Sequence, residues 1–282
     1  MRGVSHRKET SGLKKNTMTF AVCLVFAALL TAVNTYGAVG TSQVMLRDGM
    51  GYIYALLAVG ALLWLFFTGK KRFRTEPGWL NTGKPEFFFF GAAVLTVSLV
   101  SLSEFLPQLG NFDPVLQGPF LMTRTAFSCL GLAAGPLLFI AGASKKAGLK
   151  GLSTAFAAIW SFAFVVSECT FFIPLPDISL YLPRLGTAVF ATLTFCYLTM
   201  AGKAGLRRNA AGLRTCAGAL MMFSVSDIVF WMVYHNNAFR SMPVSSFLFA
   251  VFFALYSVWF SFTLDRRFIS HDPSAEVAAV EL

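Results

Sequence analysis

The sequence predicts an all-α fold: a polytopic membrane protein of eight transmembrane helices with both termini in the cytoplasm. Three observations predict it: an apolar composition, eight apolar runs of spanning length, and an alternation of basic residues between them. Of 282 residues, 56% are hydrophobic, 13% are charged and 31 are Phe. Soluble domains carry about twice that charged fraction. Hydrocarbon accepts such a chain because it imposes no penalty on exposed Phe, Leu and Val.

The runs lie near 18–39, 51–68, 87–106, 120–142, 152–173, 185–202, 214–234 and 243–264. A helix of about 20 residues crosses roughly 30 Å of hydrocarbon. Only helices fit these runs, since a lipid-exposed backbone must satisfy its polar groups within its own segment. Residues 1–17 form a basic cytoplasmic segment, 18–264 the membrane domain, and 265–282 a polar cytoplasmic tail that reads as disordered. The first run reads as a retained span, being longer than a signal-peptide core.

Orientation follows from the 23 Lys and Arg. Arg2, Arg7, Lys8, Lys14, Lys15, Lys70, Lys71, Arg72, Arg74 and Lys84 fall on one side. So do Lys145, Lys146, Lys150, Lys203, Arg207, Arg208, Arg214, Arg266 and Arg267, making 19. Arg47, Arg124, Arg184 and Arg240 make up the other 4. Positive loops stay in the cytoplasm, which puts both ends inside and the chain in the cytoplasmic membrane of a bacterium. The net charge of +10 is therefore a topology signal; clusters between apolar runs do not make a nucleic-acid surface.

Other chemistry is thinly represented. The five cysteines lie in apolar runs without a CxxC pair and read as small buried hydrophobes. The three histidines lie in tails or at a helix end, so neither a metal nor another cofactor is implied. Gly131 and Gly135 form a GxxxG stretch, read as a packing face. The loop 105–119 is apolar enough to lie on the membrane surface, as an interfacial loop or a lid.

Buried charges cost several kcal/mol in a bilayer and need a reason. Four fall within apolar runs: Glu104, Arg124, Glu168 and Asp227. A rise of about 1.5 Å per residue sets them roughly 20–27 Å from the cytoplasmic ends of their helices, in one outer slab. Ser103, Ser167, Ser224 and Ser226 adjoin them, and Tyr234 lies about two turns beyond Asp227 on the same face. Arg124 is expected to pair with Glu104. With one arginine for three carboxylates, at least one carboxyl group is expected to stay protonated. A neutral acid beside a carboxylate suits general acid–base chemistry, and it suits proton-coupled transport equally.

The segment Phe223-Ser224-Val225-Ser226-Asp227 resembles the F-x-x-S-D motif of the lysoplasmalogenase (YhhN-type) family of eight-helix membrane proteins. Ser103-Glu104-Phe105-Leu106-Pro107 stands where that family ends its third helix with a small residue and Asp. Gly135-Pro136 replaces a common family His, and Tyr256-Ser257-Val258-Trp259-Phe260 lacks a common Gln. The resemblance implies hydrolysis of the vinyl ether bond of a lysophospholipid, a membrane lipid partner and no cofactor. It implies Asp227 and Glu104 as the catalytic pair. Glu168, Arg124, Ser226, Ser103 and Tyr234 would support it or bind substrate. The competing expectation is a non-enzymatic transporter or sensor using the same carboxylates.

Overall fold

The computed structural model describes residues 2–39, 50–73, 79–80, 84–107, 118–144, 146–172, 181–201, 207–234 and 243–269. Side chains are described over 17–35, 52–68, 84–107, 118–144, 146, 148–170, 181–200, 211–233 and 243–263. The described residues form eight α-helices: α1 (Arg2–Val39), α2 (Met50–Phe73), α3 (Lys84–Phe105), α4 (Gly118–Ala143), α5 (Ala147–Phe172), α6 (Leu182–Ala201), α7 (Arg207–Tyr234) and α8 (Val244–Arg267). The one departure is an antiparallel pair of two-residue strands, β1 (Trp79–Leu80) and β2 (Phe268–Ile269). It ties the α2–α3 connection to the end of α8.

Proline marks several starts. Pro85, Pro119 and Pro183 each occupy the second position of a helix, where the missing N–H would have no intrahelical partner anyway. Pro243 precedes α8, and its carbonyl accepts the Ser246 amide at 3.1 Å. Pro136 lies inside α4, where the ring removes a ladder hydrogen bond.

Helices α3 to α8 pack consecutively, and α8 returns to α3, closing a ring of six. Helices α1 and α2 lie outside it, both against α7. Among the described residues, six helices are long and apolar enough to cross a membrane: Thr17–Thr35, Lys84–Phe105, Gly118–Ala143, Gly148–Thr170, Ala211–Val233 and Val244–Thr263. The apolar part of α2, Tyr52–Thr68, is shorter. Leu99, Met122, Ile140, Leu152, Ile159 and Phe162 are among the large apolar side chains turned outward. Water tolerates no such coat, whereas lipid does. The chain is thus an integral, multi-pass membrane protein.

The ring interior is aromatic. Phe164 stacks on Phe249 with centroids 4.1 Å apart, and Phe127 stacks on Trp160 at 5.3 Å. The Trp160 indole donates to the Ser98 hydroxyl at 3.1 Å, satisfying the one polar atom that this ring brings into the core. Gly131 lies against this pair, and the GxxxG stretch is a packing face, as its spacing predicts. A Cβ at Gly131 would collide with the Ser98 hydroxyl and the Trp160 indole nitrogen, and one at Gly135 with Leu95. Gly131→Ala should therefore destabilise the protein by about 1–3 kcal/mol, read as a lower unfolding midpoint in detergent.

Two expectations change. The first helix does not begin with the apolar run but continues back through the basic leader to Arg2, because hydropathy marks where a span starts and not where a helix does. Cysteines 129 and 169 are exposed on the outer face of the bundle, while Cys23 and Cys216 are buried. Lying in an apolar run does not decide which side of a helix a residue faces.

Candidate functional site: a buried chain of alternating charge

Successive helices of the ring run in opposite directions, so the end of α3, the start of α4, the end of α5, the start of α6, the upper part of α7 and the start of α8 meet. Each brings polar side chains to that junction. Together they form a chain of contacts from Glu104 to Asp227.

Glu104 caps α8. Its Oε1 accepts the Val244 amide at 2.5 Å, and its Oε2 accepts the Ser245 amide at 3.2 Å and the Ser245 hydroxyl at 2.6 Å. The first amides of a helix have no intrahelical acceptors and carry the positive end of its dipole, so a carboxylate there is favoured. Ser245 then links Glu104 to the next charge, because its oxygen accepts Arg124 Nη2 at 2.8 Å.

Arg124 sits about two turns into α4 and is fully buried. Its Nη2 also donates to the Ser246 hydroxyl at 2.9 Å, and its Nη1 donates to Glu168 Oε1 at 2.7 Å and faces Ser167 Oγ at 3.5 Å. Ser246 in turn donates to the same Glu168 oxygen at 2.9 Å. The guanidinium is boxed by the rings of Phe105, Phe127 and Phe164, each with its centroid 5.0–5.3 Å away. Aromatic faces attract a cation that has lost its water.

Glu168 is the centre. Its second oxygen, Oε2, lies 3.8 Å from Arg184 Nη1, and Arg184 Nε lies 3.4 Å from Asp227 Oδ1. Arg124, Glu168, Arg184 and Asp227 are 0–3% exposed. The order is Glu104, Arg124, Glu168, Arg184, Asp227, with signs that alternate along the chain. Alternation is the arrangement a low dielectric demands, since each ion's desolvation is offset only by a partner of opposite sign. Beyond Asp227, Tyr54 of α2 is buried near Ser226 and Asp227, and its hydroxyl has no hydrogen-bond partner among the described residues. The site thereby reaches a helix outside the ring.

Most of the residues expected from the sequence meet here. Glu104, Arg124, Glu168 and Asp227 belong to one connected network, with Ser226 beside Asp227. Ser103 does not join it: it is exposed, and its hydroxyl donates to the Val100 carbonyl of its own helix at 2.8 Å. The side chain of Tyr234 and residues 108–117 of the apolar outer loop lie outside the described residues, as does the tail beyond Ile269.

The pairing of Arg124 with Glu104 is corrected. Arg124 takes Glu168 as its ion-pair partner, and Ser245 stands between it and Glu104. The level of a residue in the membrane follows from its position along the helix, but its partner depends on helix rotation. The count of one arginine for three carboxylates is also corrected, since Arg184 is a second. The tally of basic residues sets Arg184, next to Pro183 at the start of an apolar run, among the outer-side charges. That same proline is the signal for its true place, because Pro in the first helical turn sets Arg184 inside α6. Two arginines for three carboxylates still leave one carboxylate in excess, and Glu104 is held by the α8 amides and the Ser245 hydroxyl.

A third buried acid lies outside the charged chain and had no sequence signal beyond its helix-end position. Glu86, in the first turn of α3, accepts the Tyr256 hydroxyl at 2.9 Å, far from the charged chain along α8.

The fold and this network define the class: an α-helical, multi-pass membrane protein with a buried ionic cluster at one end of a six-helix ring. Within that class, no protein-family model, curated protein or solved structure matches the chain.

Proposed function

We propose that this protein is a membrane hydrolase of the lysoplasmalogenase type, cleaving the vinyl ether bond of a lysophospholipid. The observation that carries the reading is that the carboxylates of α3 and α7, Glu104 and Asp227, terminate one buried network instead of standing alone. Protonation of the vinyl carbon next to the chain methylene gives an oxocarbenium ion. Water adds to that ion, and the hemiacetal collapses to a fatty aldehyde and a glycerophospho-alcohol. In this reading one carboxyl group supplies the proton and the other steadies the cation or activates the water, although Arg124, Glu168 and Arg184 stand between Glu104 and Asp227 along the chain. Glu168 and Arg124, joined by Arg184, hold the charge of the pair or the phosphate of the lipid.

In this reading all eight helices span a bacterial cytoplasmic membrane with both termini inside, and the cluster faces the outer leaflet. The shorter α2 and α6 are carried across by packing on longer neighbours. Purified protein given a lysoplasmalogen should release aldehyde, and Glu104→Gln should slow that release by about 10²-fold or more. Wild-type rates in this variant would remove Glu104 from the pair.

A second reading, a proton-coupled transporter or sensor, is favoured by a different observation. Each carboxylate already has protein partners: Glu104 holds the α8 amides, Glu168 lies between two arginines, and Asp227 faces Arg184. A proton added to such a chain would exchange partners and shift helices without any bond being cut. Absence of aldehyde from a folded, monodisperse preparation would favour this reading.

A further inference from the structure

We propose that Tyr54 of α2 is a positioning residue for Asp227: its hydroxyl bonds to the Asp227 carboxyl group when that group exchanges its proton. The proposal rests on Asp227 as the proton-carrying group, which both readings of function share, and not on the identity of the substrate.

Packing accounts for the ring of Tyr54 but not for its hydroxyl. The ring is buried in a cluster with Cys23, Leu30, Met222 and Phe223, where α1 and α2 lie against α7. Phenylalanine would serve there equally well. The hydroxyl lies near Ser226 and Asp227 without a hydrogen-bond partner among the described residues. A hydroxyl taken out of water without a partner opposes folding. Ser226 repeats the pattern from α7. A helical serine can donate to the carbonyl four residues back, as Ser224 does to Leu220. Ser226 is fully buried and makes no such bond. Two helices thus bring unused hydroxyls beside one carboxyl group.

The charged chain is tight at one end and loose at the other. Arg124 meets Glu168 at 2.7 Å, whereas Arg184 is shared between Glu168 at 3.8 Å and Asp227 at 3.4 Å. Among the described residues, the charged and titratable groups that face Asp227 are Arg184 of α6, Glu168 of α5 and Tyr54 of α2. Arginine only donates, so it suits the carboxylate and not the acid. A phenol donates to a carboxylate and accepts from a carboxylic acid. Tyr54 is therefore the neighbour able to hold Asp227 in both states.

The test uses infrared difference spectra of the full chain in detergent, acidic against alkaline, with no substrate present. The carboxyl band lost in Asp227→Asn belongs to Asp227. Tyr54→Phe keeps the ring and should move that band, with an unfolding midpoint equal to or above that of wild type. Leu65→Ala loosens the same α2–α7 contact with the hydroxyl intact. It should lower the midpoint and leave the band in place. Where wild type releases aldehyde, Tyr54→Phe should release it about tenfold more slowly. No Asp227 band in wild type, a band unmoved by Tyr54→Phe, an equal movement in Leu65→Ala, or undiminished aldehyde release from Tyr54→Phe overturns the proposal. A band moved by Tyr54→Phe alone, in a protein that releases no aldehyde, supports it and counts against the hydrolase reading only.

Discussion

Glu168→Ala should be the most destabilising single change in the charged chain, costing about 3–5 kcal/mol. Glu168 is the only carboxylate that faces both Arg124 and Arg184 across the described ion pairs. Its loss leaves Arg124 fully buried, held only by serine hydroxyls and aromatic faces. The penalty comes from the uncompensated cation and not from the value of the ion pair itself. Removing both partners, as in Arg124→Met with Glu168→Leu, should therefore cost less than Glu168→Ala alone. Arg184 keeps Asp227 in that double variant. Unfolding midpoints in detergent decide the matter, and equal or greater loss in the double variant would refute this view of the network.

Under the proposed hydrolase reading, Asp227→Asn should have the largest effect on activity with a small effect on folding. The side chains are nearly isosteric, and Arg184 retains Glu168 as an anionic neighbour. What disappears is the carboxyl group as a proton carrier and as a negative charge. A positioned acid or base is worth about 10²–10⁴-fold in rate, so aldehyde release should fall by that factor. The variant should elute and melt close to wild type. Full activity would exclude Asp227 from the chemistry, and a collapse of the fold would mark its role as structural.

The helices were legible because hydropathy alone requires them. The run at 120–142 became α4 at Gly118–Ala143, and that at 243–264 became α8 at Val244–Arg267. The common level of Glu104, Arg124, Glu168 and Asp227 was legible too, since depth is a matter of counting residues along a helix. Who touches whom was not. Rotation about each helix axis depends on side-chain packing among six helices, and a single sequence does not state it. Hence Arg124 found Glu168, Ser103 turned away, and Glu104 became the cap of a helix far along the chain. Arg184 was hidden for a different reason: an arginine at the mouth of a span looks the same whether it belongs to the loop or to the first turn. Ser245 and Ser246, which knit three charges together, carry no mark in the sequence that sets them apart from other serines.

The most direct test of the central claim is aldehyde release from a 1-alkenyl lysophospholipid, run beside the matching 1-alkyl ether. Both present the same headgroup and chain, but only the alkenyl compound forms an oxocarbenium ion by protonation of carbon. If the charged chain is a vinyl ether hydrolase site, purified wild-type protein yields aldehyde and glycerophospho-alcohol in equal amounts from the alkenyl lipid and nothing from the alkyl one. No aldehyde from well-folded protein, or undiminished release by Asp227→Asn, would contradict it.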